Sequence, residues 1–343
     1  MSRRLLSLAG CLLALAIVAP SASAAKNADL TIMSRNLYLG ADIIKLVGAP
    51  DVATEAQQVN SLFETVQATN FPVRAKALAQ EIARTKPDII GLQEVTRYLR
   101  TAEGNVTGPA TTVIYDWIAL LQAELRKLKQ PYRVAAEQTE LDITTPSSAG
   151  YGLRLKLGNA VLVRTGKGAR VSRVKPLSGE FTDQLQVSIP SGKVDLHRGY
   201  AGIDGVVAGK RFRFLDPHAE AYSAAAANGQ FKELLAGPAK SRTLPTIIAG
   251  DFNSDPADPG DDNAYNTVIA AGFIDVAKRT ATCCQNETVN NPTSELKTWI
   301  DHIVVRPRMK VLRTTVLGNR ESDRIQGLWP SDHAGIVATI RLR

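Results

Sequence analysis

Apolar positions along the chain alternate between two periods. In "FPVRAKALAQEIARTK" (residues 71–86) and "VIYDWIALLQAELRKLK" (113–129) they recur at helical spacing, and Pro87 and Pro131 close the two runs. "SAAAANGQFKELLAG" (223–237) reads as a further helix. Between them lie short apolar runs with strand character: "ADLTIMSRNLYLG" (28–40), stopping near Asn36; "PDIIGLQEV" (87–95); "LRLKLGNAVLVRT" (153–165); "LPTIIAG" (244–250); "KTWIDHIVVRP" (297–307); and "HAGIVATIRLR" (333–343). "GVVAGKRFRFLDPHA" (205–219) reads as a hairpin turning at Ala208-Gly209. "TPSSAGYG" (145–152) is a loop, and no repeat or low-complexity tract interrupts the series. Residue patterning therefore predicts a mixed α/β chain with two sheets.

The strands stop in a consistent way. Asn36, Glu94 and His218 each end one, Asp301 and His302 sit in "WIDHIVV", and "SDH" (331–333) opens the last. In "IIAGDFNSDP" (247–256) a buried run halts at a glycine, and strand periodicity would place Asp251 and Asn253 on one side just beyond it. A single Asp or Asn at such a point is usually a turn residue bonded to its own backbone. Repetition at successive strand ends makes a constellation instead. A calcium loop at 251–262 is excluded: position six is Pro256 rather than glycine, position twelve is Asp262 rather than glutamate, and a strand precedes it.

Composition changes this picture at the N-terminus. Arg3 and Arg4 precede an apolar run that gives way to "SASAAKN", the order of parts in a secretory signal peptide, so residues 1–25 are expected to be removed near Ala24 or Ala25. The protein is then expected to be secreted or extracytoplasmic, with residues 26–343 as one domain. Loss of those two arginines and no acid lowers the net charge from +8 to +6. A basic exported protein is drawn to polyanions or anionic lipid surfaces, although that bears on association rather than on chemistry. Cys283 and Cys284 are the only cysteines outside the signal segment, too few for a disulfide framework or a four-ligand zinc site; a ring between neighbours and two free thiols both remain open.

Taken in order, "SRNLYLG", "GLQEV", "GNAVLVR" with Asn159, "FLDPHAE", "GDFNSDP", "WIDHIVV" and "PSDHAGI" resemble the motifs of the endonuclease/exonuclease/phosphatase superfamily. That group includes deoxyribonuclease I, exonuclease III, neutral sphingomyelinases and inositol polyphosphate 5-phosphatases. The resemblance implies a four-layered α/β sandwich, two packed mixed β-sheets flanked by helices, with the site where strand ends converge. It also implies phosphodiester hydrolysis assisted by Mg²⁺, with Mn²⁺ or Ca²⁺ as alternatives. Mg²⁺ takes oxygen ligands and is commonly held by one or two carboxylates plus substrate phosphate, so Glu94 is the expected principal ligand, with Asn36 and Asp332 beside it.

By the same resemblance, Asp251 positions or deprotonates the attacking water and Asn253 donates to a phosphoryl oxygen. His333 contacts the phosphate with Asp301 on its other nitrogen, and His218 stabilises phosphate or aids the leaving group. Pro217 stands where the family usually has threonine, a departure that alters the approach to His218. His302, one residue beyond Asp301 in a strand, should point away and be structural, and His197 matches no motif. A nuclease is the first expectation and a sphingomyelinase-like phospholipase C the alternative, so the partner is nucleic acid or phospholipid, bound by a monomer without an obligate protein partner. A catalytically silent binding protein on the same scaffold is the non-enzyme alternative.

Overall fold

The computed structural model describes residues 27–257, 264–277 and 279–343. The expected signal peptide and Asp262 lie outside the described residues. In chain order the elements are β1 (Asp29–Asn36), α1 (Val52–Ala68), α2 (Phe71–Thr85), β2 (Ile89–Arg100), β3 (Thr112–Asp116), α3 (Trp117–Lys127), β4 (Tyr132–Pro146) and β5 (Gly152–Arg164). There follow β6 (Val171–Glu180), β7 (Leu185–Ile189), β8 (Gly192–Leu196), β9 (Gly199–Val207), β10 (Lys210–His218), α4 (Ala224–Ala236) and β11 (Thr246–Asp251). The chain ends with α5 (Ala264–Ala270), β12 (Ile274–Asp275), β13 (Asp301–Arg306), β14 (Lys310–Leu317) and β15 (Gly335–Arg341).

Two mixed sheets form the centre. The first runs β14-β15-β1-β2-β5-β4, with β3 paired to β2, and the second runs β12-β13-β11-β10-β9-β6. Their facing sides share one apolar core that includes Leu30, Ile32, Ile89, Phe212, Phe214 and Ile303. A second core lies between the outer face of the first sheet and α1, α2 and α3, and a third between the second sheet and α4 and α5. Helix, sheet, sheet and helix therefore stack as four layers, as the resemblance implied. Among the described residues no helix is long and apolar enough to cross a membrane.

Local chemistry sets most boundaries. Asp51, Asn70, Asp116 and Ser223 each accept a backbone N–H three residues on, capping α1 to α4. The Asp116 cap divides the run expected as one helix: Thr112–Asp116 pair with β2 instead, because β-branched and aromatic residues there fill an open edge. The Ala208-Gly209 turn has φ of +47° and +82°, the left-handed pair that a two-residue hairpin needs. Not anticipated were α1, the long β4, and the β7–β8 hairpin, a small sheet of its own. Val59, Phe63 and Val66 form the buried stripe of α1.

Two strand ends differ from expectation. Glu94 lies within β2 rather than at its end, at a bulge between Leu92 and Val95 where its φ is +54°. Asn253 has φ +47°, so a left-handed residue, not continued strand periodicity, turns it toward the site. The glycine before Asp251 has a packing reason. A Cβ on Gly250 would be driven into the carbonyl oxygen of Pro217 on β10, the neighbouring strand. Gly250→Ala should therefore part β10 from β11 and destabilise the fold by about 1–3 kcal/mol, read as a lower denaturant midpoint; an unchanged midpoint would show that the strands yield freely.

Candidate active site

Both sheets contribute to one polar cluster at the same end of the sandwich. Asn36 ends β1 and Glu94 occupies the β2 bulge in the first sheet, while His218, Asp251 and Asp301 lie at the ends of β10, β11 and β13 in the second. Asp332 and His333 come from the loop leading into β15. The register explains the convergence: His218 pairs with Asp251, and Asp251 with Asp301, across three adjacent strands. The eight residues expected at the site all fall in this region.

Asp251 is the hub. Its Oδ2 accepts from Asn36 Nδ2 at 3.1 Å and lies 3.7 Å from His333 Nδ1 and 4.0 Å from His218 Nε2. Its Oδ1 accepts the Asn253 N–H at 2.9 Å. Burial would raise the Asp251 carboxyl, but the two histidines, that N–H and Asn36 outweigh it and hold the group below its usual range. His333 Nδ1 meets Asp301 Oδ2 at 2.9 Å. Burial opposes charge on this imidazole, yet Asp301, Asp332 and Asp251 together hold its pKa well above the usual histidine value. Asp301, buried and next to Asp251, is raised. The Asn253 amide nitrogen donates to Ala219 O at 3.0 Å, which fixes it beside Asp251 and leaves its second proton for another acceptor.

Glu94 is held by Asn36 Nδ2 at 2.9 Å and by the Leu39 N–H at 2.6 Å. Asn36 was expected beside Glu94 as a metal ligand; here its nitrogen bridges Glu94 and Asp251, and its oxygen is engaged by the Tyr38 N–H at 2.8 Å. Enclosure and the nearby Glu94 charge push the Asp332 carboxyl up to about 7, with His333 opposing. Glu94 lines the cleft and Asp332 lies close enough to feel its charge, and two such hard-oxygen acids suit a divalent cation, so the donor set fits such an ion. Asp251, Asp301 and His333 also place one donor atom each within 4.8 Å of one another, as do Cys283, Cys284 and His333.

Several supporting residues carried no motif. Glu140 on β4 accepts from Arg198 Nη1 at 3.0 Å and from Asn159 at 3.0 Å, and its Oε2 lies 3.1 Å from His218 Nδ1. Arg198 also reaches Glu220 at 3.4 Å. Against burial, the His218 and Arg198 charges hold Glu140 below the usual carboxylate range, and Glu140 in turn helps to raise His218. Buried Arg74 of α2 donates to the carbonyls of Leu37, Tyr38, Thr69 and Pro330, and Arg35 to that of His333, tying the loops that carry Asn36 and His333. Ser331 Oγ donates to Asn36 O at 2.9 Å. His302 faces away, bonded to Asp275 and to the Ser254 carbonyl, and is structural as expected; His197 stands apart near Glu180. Cys283 and Cys284 are joined to each other, with Cys284 Sγ 4.0 Å from His333 Nε2.

The model of the endonuclease/exonuclease/phosphatase family matches residues 58–333. Among solved structures, a protein of that family from Bacteroides thetaiotaomicron is similar at a TM-score of 0.57 and 18% identity, covering 92% of this chain and 98% of that one. A mannosyl-6-phosphatase from the same organism gives 0.55 and 18%, covering 91% and 99%. Truncated TDP2 of Caenorhabditis elegans gives 0.50 and 17%, covering 92% and 98%. At these identities the likenesses establish the fold. No curated protein matches the chain.

The Glu140 network yields a stability prediction. Glu140→Gln should leave buried Arg198 under-compensated and cost about 3 kcal/mol at pH 7. A depressed carboxyl stabilises the fold above its ordinary value of 4.5 and loses that contribution as pH falls through the folded pKa. The difference between wild type and variant in denaturant unfolding should therefore shrink below about pH 4.5; a constant difference down to pH 3 would contradict the assignment.

Proposed function

The chain belongs to the endonuclease/exonuclease/phosphatase family, and on that premise we propose that it is an exported, divalent-metal-dependent phosphodiesterase whose centre is the Asp251 cluster. The observation that carries the reading is the convergence of Asn36, His218 and His333 on one carboxylate oxygen beside Glu94 and Asp332. Asp251, kept ionised, orients a water for in-line attack; a carboxylate held below its usual range serves better as a hydrogen-bond acceptor than as a strong base. His333 carries a proton on Nδ1 toward Asp301 and presents Nε2 to a phosphoryl oxygen, where positive charge is rewarded as the transition state forms. His218, held between Glu140 and Asp251 with its pKa raised chiefly by Glu140 against burial, supports a second oxygen or protonates the leaving group. The free proton of Asn253 completes the donor set. Glu94 and Asp332 would hold the ion, which supplies charge neutralisation at the phosphoryl and leaving oxygens when bound.

Net positive charge favours a nucleic-acid substrate, the first expectation. The cleft itself is less favourable to a long polyanion. Among the described residues Arg198 is the only Lys or Arg lining it, and that guanidinium is committed to Glu140 and Glu220. The charged-then-apolar N-terminal pattern supports export.

The test is hydrolysis of a chromogenic phosphodiester, plasmid DNA, RNA and sphingomyelin vesicles, each with Mg²⁺ or EDTA. EDTA and Glu94→Ala should abolish turnover, and His333→Ala should lower it about 10²- to 10⁴-fold with a near-native melting temperature. Activity that survives both substitutions would remove this centre from consideration, and silence on all four substrates would favour a mannosyl-6-phosphatase-like monoesterase or a silent scaffold.

A further inference from the structure

Beside the polar cleft lies an apolar cavity of about 90 Å³. Its walls come from α1 and the turn at Ile43–Gly48 on one side, and from β4, β5 and the β7–β8 hairpin on the other. Ile43, Leu141, Leu196 and Tyr222 line both the cavity and the cleft that holds His218, Asp251 and His333. The two spaces are therefore adjacent, divided by those four side chains. Tyr222 is 50% exposed at this junction and Val47 39% exposed on the cavity wall, so apolar surface reaches solvent there.

One water needs roughly 10–15 Å³ and two to four polar partners. This cavity has the room, but among the described lining residues polar side chains are confined to Tyr98, Thr145 and Tyr222, and the Tyr98 hydroxyl is already committed to Leu39 O at 3.0 Å. Water gains little there, and an unfilled apolar space costs stability. Space of this kind beside a phosphoester centre has an evident occupant. Resting on the phosphodiesterase reading above, we infer that the cavity takes the alkyl or acyl chain of the substrate, so that the substrate class is an amphiphilic, phospholipid-like phosphodiester. The cleft fits the same substrate, because a single phosphodiester needs no track of free cations beyond the catalytic groups.

Calorimetric titration of the protein with n-alkylphosphonates of two, six and ten carbons in Mg²⁺, below their micelle concentrations, tests this without turnover. The two-carbon compound reports the phosphoester centre. Each added methylene that enters the cavity should tighten binding about three- to fourfold, until the space is filled. Val187→Trp, which adds bulk at the hairpin wall, should bring the ratio of ten-carbon to two-carbon affinity toward one. Ile143→Thr, which makes the opposite wall polar without adding bulk, should lower the same ratio less. A flat series in the wild type, or a slope that both variants retain, overturns the inference while leaving the centre intact. So does a dimer that Val187→Trp dissociates, since a second copy would then be the occupant, or a slope seen only after deletion of residues 1–25, which would assign the cavity to that segment. Failure of the two-carbon phosphonate to bind at all would overturn the phosphodiesterase reading and this one together.

Discussion

The site depends on one constraint: the two sheets must meet in a fixed register, because its hydrogen bonds cross between them. Over most of their contact the facing sides are apolar and would tolerate small slides. At the catalytic end polar pairs replace that packing. Asn36 of the first sheet donates to Asp251 of the second, His333 in the loop before β15 meets Asp301 of β13, and Gln93 donates to Asp216 within the interior. Unpaired polar groups buried in this way are costly, so a slide that breaks one pair is opposed by the rest. Close approach is part of the same design. A Cβ at Gly91 would lie 2.8 Å from the Asp216 carboxyl, so glycine lets β2 come near enough for its neighbour Gln93 to reach across.

Within that frame the environment separates the roles of two neighbouring carboxylates. Asp251 is surrounded by donors and two imidazoles and is depressed; Asp301 shares one imidazole, feels the Asp251 charge, and is raised. Oppositely shifted acids at one site mark a division of labour. Asp251 is the group that faces the cleft as an anion. On the proposed reading Asp301 acts through His333, fixing which nitrogen carries the proton toward the protein and which would be left for the substrate.

Much of this was legible in the sequence because the informative residues sit at ends of strongly patterned strands. Asp251 follows a fully buried run, and Asp301 and His302 alternate in a strand, so opposite fates for that pair follow from period-two geometry. What escaped has a common cause. Glu140 and Arg198 are buried charges stabilised by each other and by His218, and a sequence pattern cannot tell such a pair from solvated surface residues. Arg74 and Arg35 act through backbone carbonyls of distant loops, contacts without any local signature. The bulge at Glu94 and the left-handed turn at Asn253 break the periodicity on which orientation was read. Those are positions where backbone strain is retained to aim a side chain, and local propensity is least informative there.

On the proposed reading, chemistry and recognition divide along the two sides of one cleft. The side built from β10, β11 and β13 carries acids and imidazoles on strand ends that the sheet register holds rigidly. Apart from Glu140, which β4 turns toward His218, the side built from β4, the β7–β8 hairpin and the turn after β1 is lined mainly by apolar side chains, and its hairpin belongs to neither main sheet. A rigid side suits groups that must be placed to a fraction of an ångström for phosphoryl transfer. A hairpin outside both main sheets can change in sequence and shape without disturbing the register that the centre requires. Binding energy from an apolar substituent held there would be realised away from the reacting phosphorus, and would orient the ester against Asp251 and His333 rather than alter their chemistry.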